Sequence, residues 1–231
     1  MIPDRVPKQG VVFDLDGVLV MSEHLWEESW TTYAARYRYA WTSQDTRNCQ
    51  GKSVSEWGVY LGSRSSGDAE AAAADVIALV LQAYRSGRVT LVDGAAELIA
   101  AVASQVVVGL ASSAPRTIID TVMATMGIGR YFSATVSSAE VARGKPSPDV
   151  YAEAVNRLGI DPARSVAVED SSNGVRAAAA AGLTVVAVVH QQYPLAPDAV
   201  ALSNSVRSTL SQVGHDIERL LQEQAAAEPK R

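Results

Sequence analysis

Residues 10–18 read Gly-Val-Val-Phe-Asp-Leu-Asp-Gly-Val. A short β-branched and aromatic run that ends in acids predicts a buried strand whose carboxyl end carries Asp14. In an extended strand end, residues two apart project the same way, so Asp14 and Asp16 face one space while Gly17 lets the backbone turn. Two close carboxylates repel unless a cation or a shared proton relieves them. Magnesium is the economical cation, because it accepts a few carboxylates and completes its octahedron with water and phosphate oxygens. One acid can then attack phosphorus while the other protonates the leaving oxygen and later activates water. A solvated loop after a strand often contains Asp-x-Asp-Gly, so the pair alone decides little.

The chain changes character after this stretch. From Ser22 to about Arg88 it is rich in Trp, Tyr, Ala and charge. Trp26, Trp30, Tyr33 and Tyr37 recur at helical spacing, and Asp68 to Ser86 is a long Ala/Leu pattern. A helical insertion is expected there, broken at Gly51-Lys52-Ser53 and at Gly62 to Gly67. After Leu91, strand-like runs (Val106–Leu110, Ala134–Val136, Ser165–Val168, Thr184–Val188) alternate with helix-like ones (Pro115–Met126, Pro148–Leu158, Gly174–Ala181). The alternation predicts an α/β fold, a Rossmann-like parallel sheet with helices on both faces. The expected division is a core of residues 1–20 and 91–231 and an all-helical cap of residues 21–90. The tail, Gln222 to Arg231, is expected to fray beyond a last helix.

Ligands in such sheets bind beyond the carboxyl ends of the strands, and polar residues cluster there. In Ala111-Ser112-Ser113-Ala114-Pro115, the Ser112 hydroxyl and the loop amides can hold phosphate at a helix start, or simply cap the helix. Gly144-Lys145-Pro146-Ser147-Pro148 fixes one lysine in a loop, as a solvated charge or as the cation that offsets nucleophile and phosphate. Val168-Glu169-Asp170-Ser171-Ser172-Asn173-Gly174 puts two acids at a strand end, where capping alone would explain Asp170. Acid pair, serine, lysine and acid pair in this order supply nucleophile, phosphate holder, charge neutraliser and metal ligands. Four unrelated accidents in that order are improbable.

The segments FDLDGV, LASSAP, GKPSPDVY and VEDSSNGVRAAAAAG together resemble the haloacid dehalogenase superfamily. The similarity is to its helical-cap branch, with the β-phosphoglucomutases and phosphoglycolate-type phosphatases, and it covers nearly the whole chain. It implies Asp14 as nucleophile, Asp16 as acid/base with its backbone carbonyl on Mg²⁺, Ser112 and the Ser113 amide on phosphate, and Lys145 on nucleophile and phosphate. Glu169 and Asp170 would stand at the metal, with Asp170 the better direct ligand; the metal set is thus Asp14, Asp16, Asp170 and Glu169. Asp16 favours phosphate chemistry, since dehalogenases of the superfamily lack that second acid. Mutases of the β-phosphoglucomutase type carry a histidine where this chain has Trp26. That lowers the mutase reading, although His24 two residues away keeps it open. Many relatives have Asp where this chain has Met21.

Substrate selection is expected in the cap. Glu23, Trp26, Gly51, Lys52 and Arg116 are the candidates beside Gly17, with Lys52 the natural contact for a second anionic group. Trp26, Trp30, Tyr33 and Tyr37 can equally well pack the bundle. The expected activity is that of a magnesium-dependent phosphatase hydrolysing a small phosphate ester through an aspartyl-phosphate. The alternatives are a phosphosugar mutase or a noncatalytic phospholigand-binding regulator.

Composition fits a globular chain with a buried core: 231 residues, 48% hydrophobic. A formal charge of −5 argues against a nucleic-acid footprint. No apolar run approaches the roughly 20 residues of a membrane span, and residues 1–10 lack the apolar stretch of a signal peptide. One cysteine, Cys49, excludes an internal disulfide and suits a reducing compartment. A cytoplasmic protein is expected, monomer and dimer both being open.

Overall fold

The computed structural model describes residues 8–190 and 194–226. Six parallel strands, β1 (Gly10–Phe13), β2 (Val107–Ser112), β3 (Ala134–Ser137), β4 (Val166–Glu169), β5 (Thr184–Val188) and β6 (Ser205–Arg207), form one sheet in the order β3-β2-β1-β4-β5-β6. Strand order reverses beside β1, so Asp14 leaves the sheet at the crevice between two diverging halves. Phe13 stands level with Leu110 on one side and Val168 on the other, which aligns the strand ends that carry Asp14, Ser112 and Glu169.

Both faces are covered, and the pleat sorts the side chains. Val11, Phe13, Val166, Val168, Val186 and Val188 face a layer containing α5 (Ala95–Ala103), α6 (Arg116–Thr125) and α10 (Leu210–Ala226). Val12, Ala167, Val185 and Ala187 face α7 (Asp149–Leu158), α8 (Ser172–Ala180) and α9 (Pro197–Leu202). A strand buried on both sides has no polar alternation, which is why the continuous apolar runs are strands. The β6 strand was not expected. Its three residues, Ser-Val-Arg, are only half-buried at the sheet edge and carry no run of apolar residues. Of the tail expected to fray, residues 222–226 are the end of α10, and residues 227–231, like 1–7, lie outside the described residues.

Between β1 and α5 stand four helices, α1 (Glu23–Arg36), α2 (Ser43–Cys49), α3 (Val54–Arg64) and α4 (Ala69–Arg85). The chain leaves and rejoins the sheet layer at one place, where Val20 bridges Leu91, Met21 N–H donates to Thr90 O and Val92 N–H donates to Leu19 O. Trp26, Trp30 and Trp57 pack with ring centres 6.0–6.1 Å apart. The break expected at Gly62 to Gly67 falls after Arg64, between α3 and α4, and Gly62 itself stays helical. It lies within α3, where an added Cβ would stand 3.0 Å from Ala69 Cα, so its missing side chain lets the start of α4 come close.

Asp45 ties the insertion together. Its carboxylate accepts from Thr42 N–H and Oγ1–H and from the hydroxyls of Tyr39 and Tyr60. Burial alone would raise this acid, but the donors outweigh it and hold the carboxyl at about 2. Asp45→Ala removes a cap and the acceptor of two phenol hydroxyls, so a loss of about 1–3 kcal/mol is expected in denaturant unfolding. The folded-state value lies below the ordinary 3.8. This contribution is therefore complete above about pH 4 and disappears as pH falls towards 2. An Asp45→Ala protein whose acid unfolding matched wild type would contradict that assignment.

Candidate active site

Lys145 is the centre of the cleft. It is 2% exposed, and its Nζ stands 2.6 Å from both Asp14 Oδ1 and Glu169 Oε1. The Tyr151 ring covers the ammonium at 5.0 Å, and its hydroxyl donates to Glu169 Oε1 at 2.9 Å. Burial pulls Lys145 down, but Asp14 and Glu169 outweigh it and hold the ammonium above its ordinary range. Burial pushes Asp14 up to about 7, with Lys145 pulling against it and Glu169 and Asp16 adding to it. One cation therefore faces more carboxylate than it can neutralise.

The excess falls on the acids expected to hold metal. Carboxylate oxygens of Asp14, Glu169 and Asp170 lie within 4.8 Å of one another, all buried. Glu169 has no oxygen free: Oε1 receives Lys145 and Tyr151, and Oε2 receives the Asp170 and Ser171 amides at 3.0 Å and the Ser171 hydroxyl at 3.1 Å. Asp170 Oδ2, in contrast, is buried without a hydrogen-bond partner. Burial and the carboxylates of Glu23, Glu169 and Asp14 push Asp170 far above the ordinary acid range. A buried, unpartnered carboxylate oxygen facing another acid is the donor set of a hard divalent cation. The residues fit such an ion, which Asp14 and Asp170 could hold, while Glu169 accepts from Lys145 and from the Asp170 amide.

Gly17, at φ +77°, leaves the space that Asp170 uses; a Cβ there would sit 2.0 Å from Asp170 Oδ2. His190 Nε2 donates to Gly17 O at 2.6 Å and fixes the same turn. Asp16 is not one of the three acids whose oxygens meet. Its Oδ1 accepts from Ser22 Oγ at 2.5 Å, Trp26 Nε1 at 3.0 Å and the Tyr84 hydroxyl at 3.2 Å.

Asp14, Asp16, Glu23, Trp26, Gly51, Lys52, Ser113, Lys145 and Asp170 all line one cleft. Glu23 accepts from Gln50 Nε2, and enclosure beside Asp16 and Asp14 pushes it up to about 8. Ser112 is fully buried and accepts the Ala114 amide at 3.0 Å, while the Ser113 hydroxyl donates across to Gly51 O at 3.1 Å. Arg116 does not join the cleft. Its guanidinium is held by Glu140 and by Thr135 on β3, which turn it along the sheet edge. Trp26, a candidate for substrate contact, lines the cleft and gives its indole N–H to Asp16. Cys49 is buried at the cleft wall and burial pushes its thiol up to about 12, so it is no nucleophile.

Ser22, Gln50, Tyr84, Tyr151 and His190 were not singled out from sequence. Tyr151 stands in the segment with Lys145, but Tyr84 and His190 lie far along the chain from their partners, and no local pattern connects them.

A family model for haloacid dehalogenase-like hydrolases matches residues 8–182. Validoxylamine A 7'-phosphate phosphatase of Streptomyces hygroscopicus subsp. limoneus is 29% identical over 174 residues, 74% of this chain and 81% of its own. Protein CbbY of Rhodobacter capsulatus is 34% identical over 192 residues, 77% of this chain and 84% of its own. The structure of β-phosphoglucomutase from Clostridium difficile superposes with TM-score 0.81 at 19% identity, covering 95% of this chain and 99% of that one, a likeness of fold.

Metal and pH are linked here. Folded-state values of about 7 for Asp14 and about 8 for Glu23 exceed the ordinary 3.8 and 4.5, so the metal-free fold binds protons that the unfolded chain has released. Their contribution to stability is complete below about pH 4 and is lost as pH rises to about 8. A divalent cation held by Asp14 and Asp170 would compete with protons in this cluster. The gain in melting temperature from magnesium over EDTA should therefore be larger at pH 8 than at pH 5. An equal gain at both would place the metal away from these acids.

Proposed function

The chain belongs to the haloacid dehalogenase-like hydrolase family, and on that premise we propose that it is a magnesium-dependent phosphatase of a small phosphorylated metabolite. The contact of Lys145 with both Asp14 and Glu169, beside the unpartnered Asp170 oxygen, carries the reading. Nucleophile, neutralising cation and metal-seeking carboxylate stand together, all buried, in one crevice, as phosphoryl transfer requires. The similarity to a protein named as a phosphatase supports the same class.

In this reading an Asp14 carboxylate oxygen attacks phosphorus and the ester P–O bond breaks. The leaving oxygen takes the proton of the Asp16 carboxyl, giving the free alcohol and an aspartyl-phosphate. A water then gives its proton to the Asp16 carboxylate and attacks phosphorus, releasing inorganic phosphate and restoring both acids. Lys145 offsets charge on nucleophile and phosphate. Ser112 shapes the turn that presents Ser113 and Ala114 to the cleft. Magnesium bound by Asp14 and Asp170 would supply charge neutralisation of the phosphoryl group. A hard, oxygen-seeking ion suits an all-carboxylate set better than a soft one.

Lys52 lines the cleft, and its ammonium makes no hydrogen bond or ion pair among the described residues, which supports its assignment to an anionic or strongly polar group on the substrate.

Asp14→Asn should reduce turnover at least about 10³-fold while keeping the fold, since it removes the nucleophilic charge. Near-native turnover in folded Asp14→Asn would refute the mechanism. The test is purified protein against phosphorylated metabolites with magnesium or EDTA, followed by ³¹P NMR. Phosphate release supports the phosphatase, whereas isomer interconversion without release would make it a mutase. Lys52→Ala should raise KM for the best substrate several-fold with kcat little changed, and an unchanged KM would remove its role.

A further inference from the structure

We infer that Trp26 and Tyr84 are positioning residues for Asp16, holding the general acid/base by a single oxygen so that its other oxygen serves the proton transfers. The inference rests on the reading of Asp16 as acid/base. Three donors converge on Oδ1: the Ser22 hydroxyl, the Trp26 indole and the Tyr84 phenol. No bond from them reaches Oδ2.

Two of these donors come from the helical insertion, on α1 and α4, while Asp16 follows β1 of the sheet. Trp26 is 7% and Tyr84 2% exposed, so neither can turn its polar atom to water. A buried indole N–H and a buried phenol each need an acceptor. Any carbonyl could have served that need; here both spend their one donor on the carboxylate that faces the cleft. A carboxyl side chain rotates freely unless held, and a general acid displaced by about 1 Å can lose about 100-fold in rate.

The choice of one oxygen has a chemical consequence. When Asp16 is protonated, the proton sits on Oδ2, and Oδ1 is a carbonyl oxygen that still accepts all three bonds. When Oδ2 has given its proton to the leaving oxygen, Oδ1 is a carboxylate oxygen that accepts the same bonds. Indole and phenol therefore hold Asp16 in one place through both halves of the cycle, and no donor has to move as the proton comes and goes. The acids at the metal are held differently: Glu169 is clamped through both oxygens, which leaves it nothing to exchange.

Leaving-group dependence tests this. General-acid help matters for an alkoxide and little for nitrophenolate, which leaves without a proton. Trp26→Phe and Tyr84→Phe should each lower kcat for 2-glycerol phosphate about 10-fold or more, and for 4-nitrophenyl phosphate less than about 3-fold, with melting temperatures near wild type. Equal losses on both substrates would overturn the inference, because a merely structural role slows both alike. Tyr84→Phe removes one oxygen atom only, so it carries the test if Trp26→Phe folds poorly. Asp16→Ala is the reference. If Asp16→Ala shows no leaving-group dependence, the acid/base reading itself fails. If it does show one and the two aromatic variants do not, only the positioning role fails. In the Asp16→Ala background, Trp26→Phe should add no further leaving-group effect.

Discussion

A buried ammonium between two buried carboxylates organises this molecule. Lys145 comes from a loop after β3, Asp14 from the end of β1 and Glu169 from the end of β4, so their ion pairs join three segments far apart in sequence. Burying any one of these charges alone would cost several kcal/mol, and breaking such a pair typically costs about 3–5 kcal/mol. Each is tolerable only because the others are present and because Tyr151 and two backbone amides satisfy what remains of Glu169. The groups needed for chemistry are thus also the groups that make the burial possible.

The sheet explains how they meet. Parallel strands place their carboxyl ends on one side, and the reversal of order beside β1 opens the crevice into which Asp14 projects. Two glycines keep the crevice narrow. Gly17 yields to Asp170, and at Gly174 a Cβ would fall 1.7 Å from Glu169 Oε1, so the first turn of α8 can close over that carboxylate. Apolar layers on both faces keep the strand ends in register and leave them no freedom to drift.

The helical insertion contributes more than cover. Its loop at Gly51 touches the sheet layer through the Ser113 hydroxyl, and Ser53 packs where Gly144 has no side chain. Its tryptophans build a rigid wall by packing on one another, and one of them spends its N–H on Asp16. Wall and acid are therefore parts of one arrangement: what lines the cleft also holds Asp16.

The sequence by itself determined the α/β class, the helical insertion and the acids, serines and lysine of the site, because these follow from local rules. Apolar runs of strand length, helical periodicity and polar residues at strand ends are all properties of neighbours in the chain. The β6 strand escaped, since a short half-buried edge has no such signature. Only the tertiary structure decided how roles divide among similar residues. Glu169 and Asp170 are adjacent acids, yet one is saturated by five donors and the other keeps a bare oxygen, a difference made by Lys145, Tyr151 and the start of α8. Arg116 and Lys52 were both candidates for the cleft, and Glu140 and Thr135 take the arginine. Trp26 reads alike as wall or as ligand contact, and its bond to Asp16 becomes visible only when α1 is laid against the end of β1. Hydrogen bonds and desolvation depend on distances between segments far apart in the chain, and no local pattern in the sequence encodes those distances.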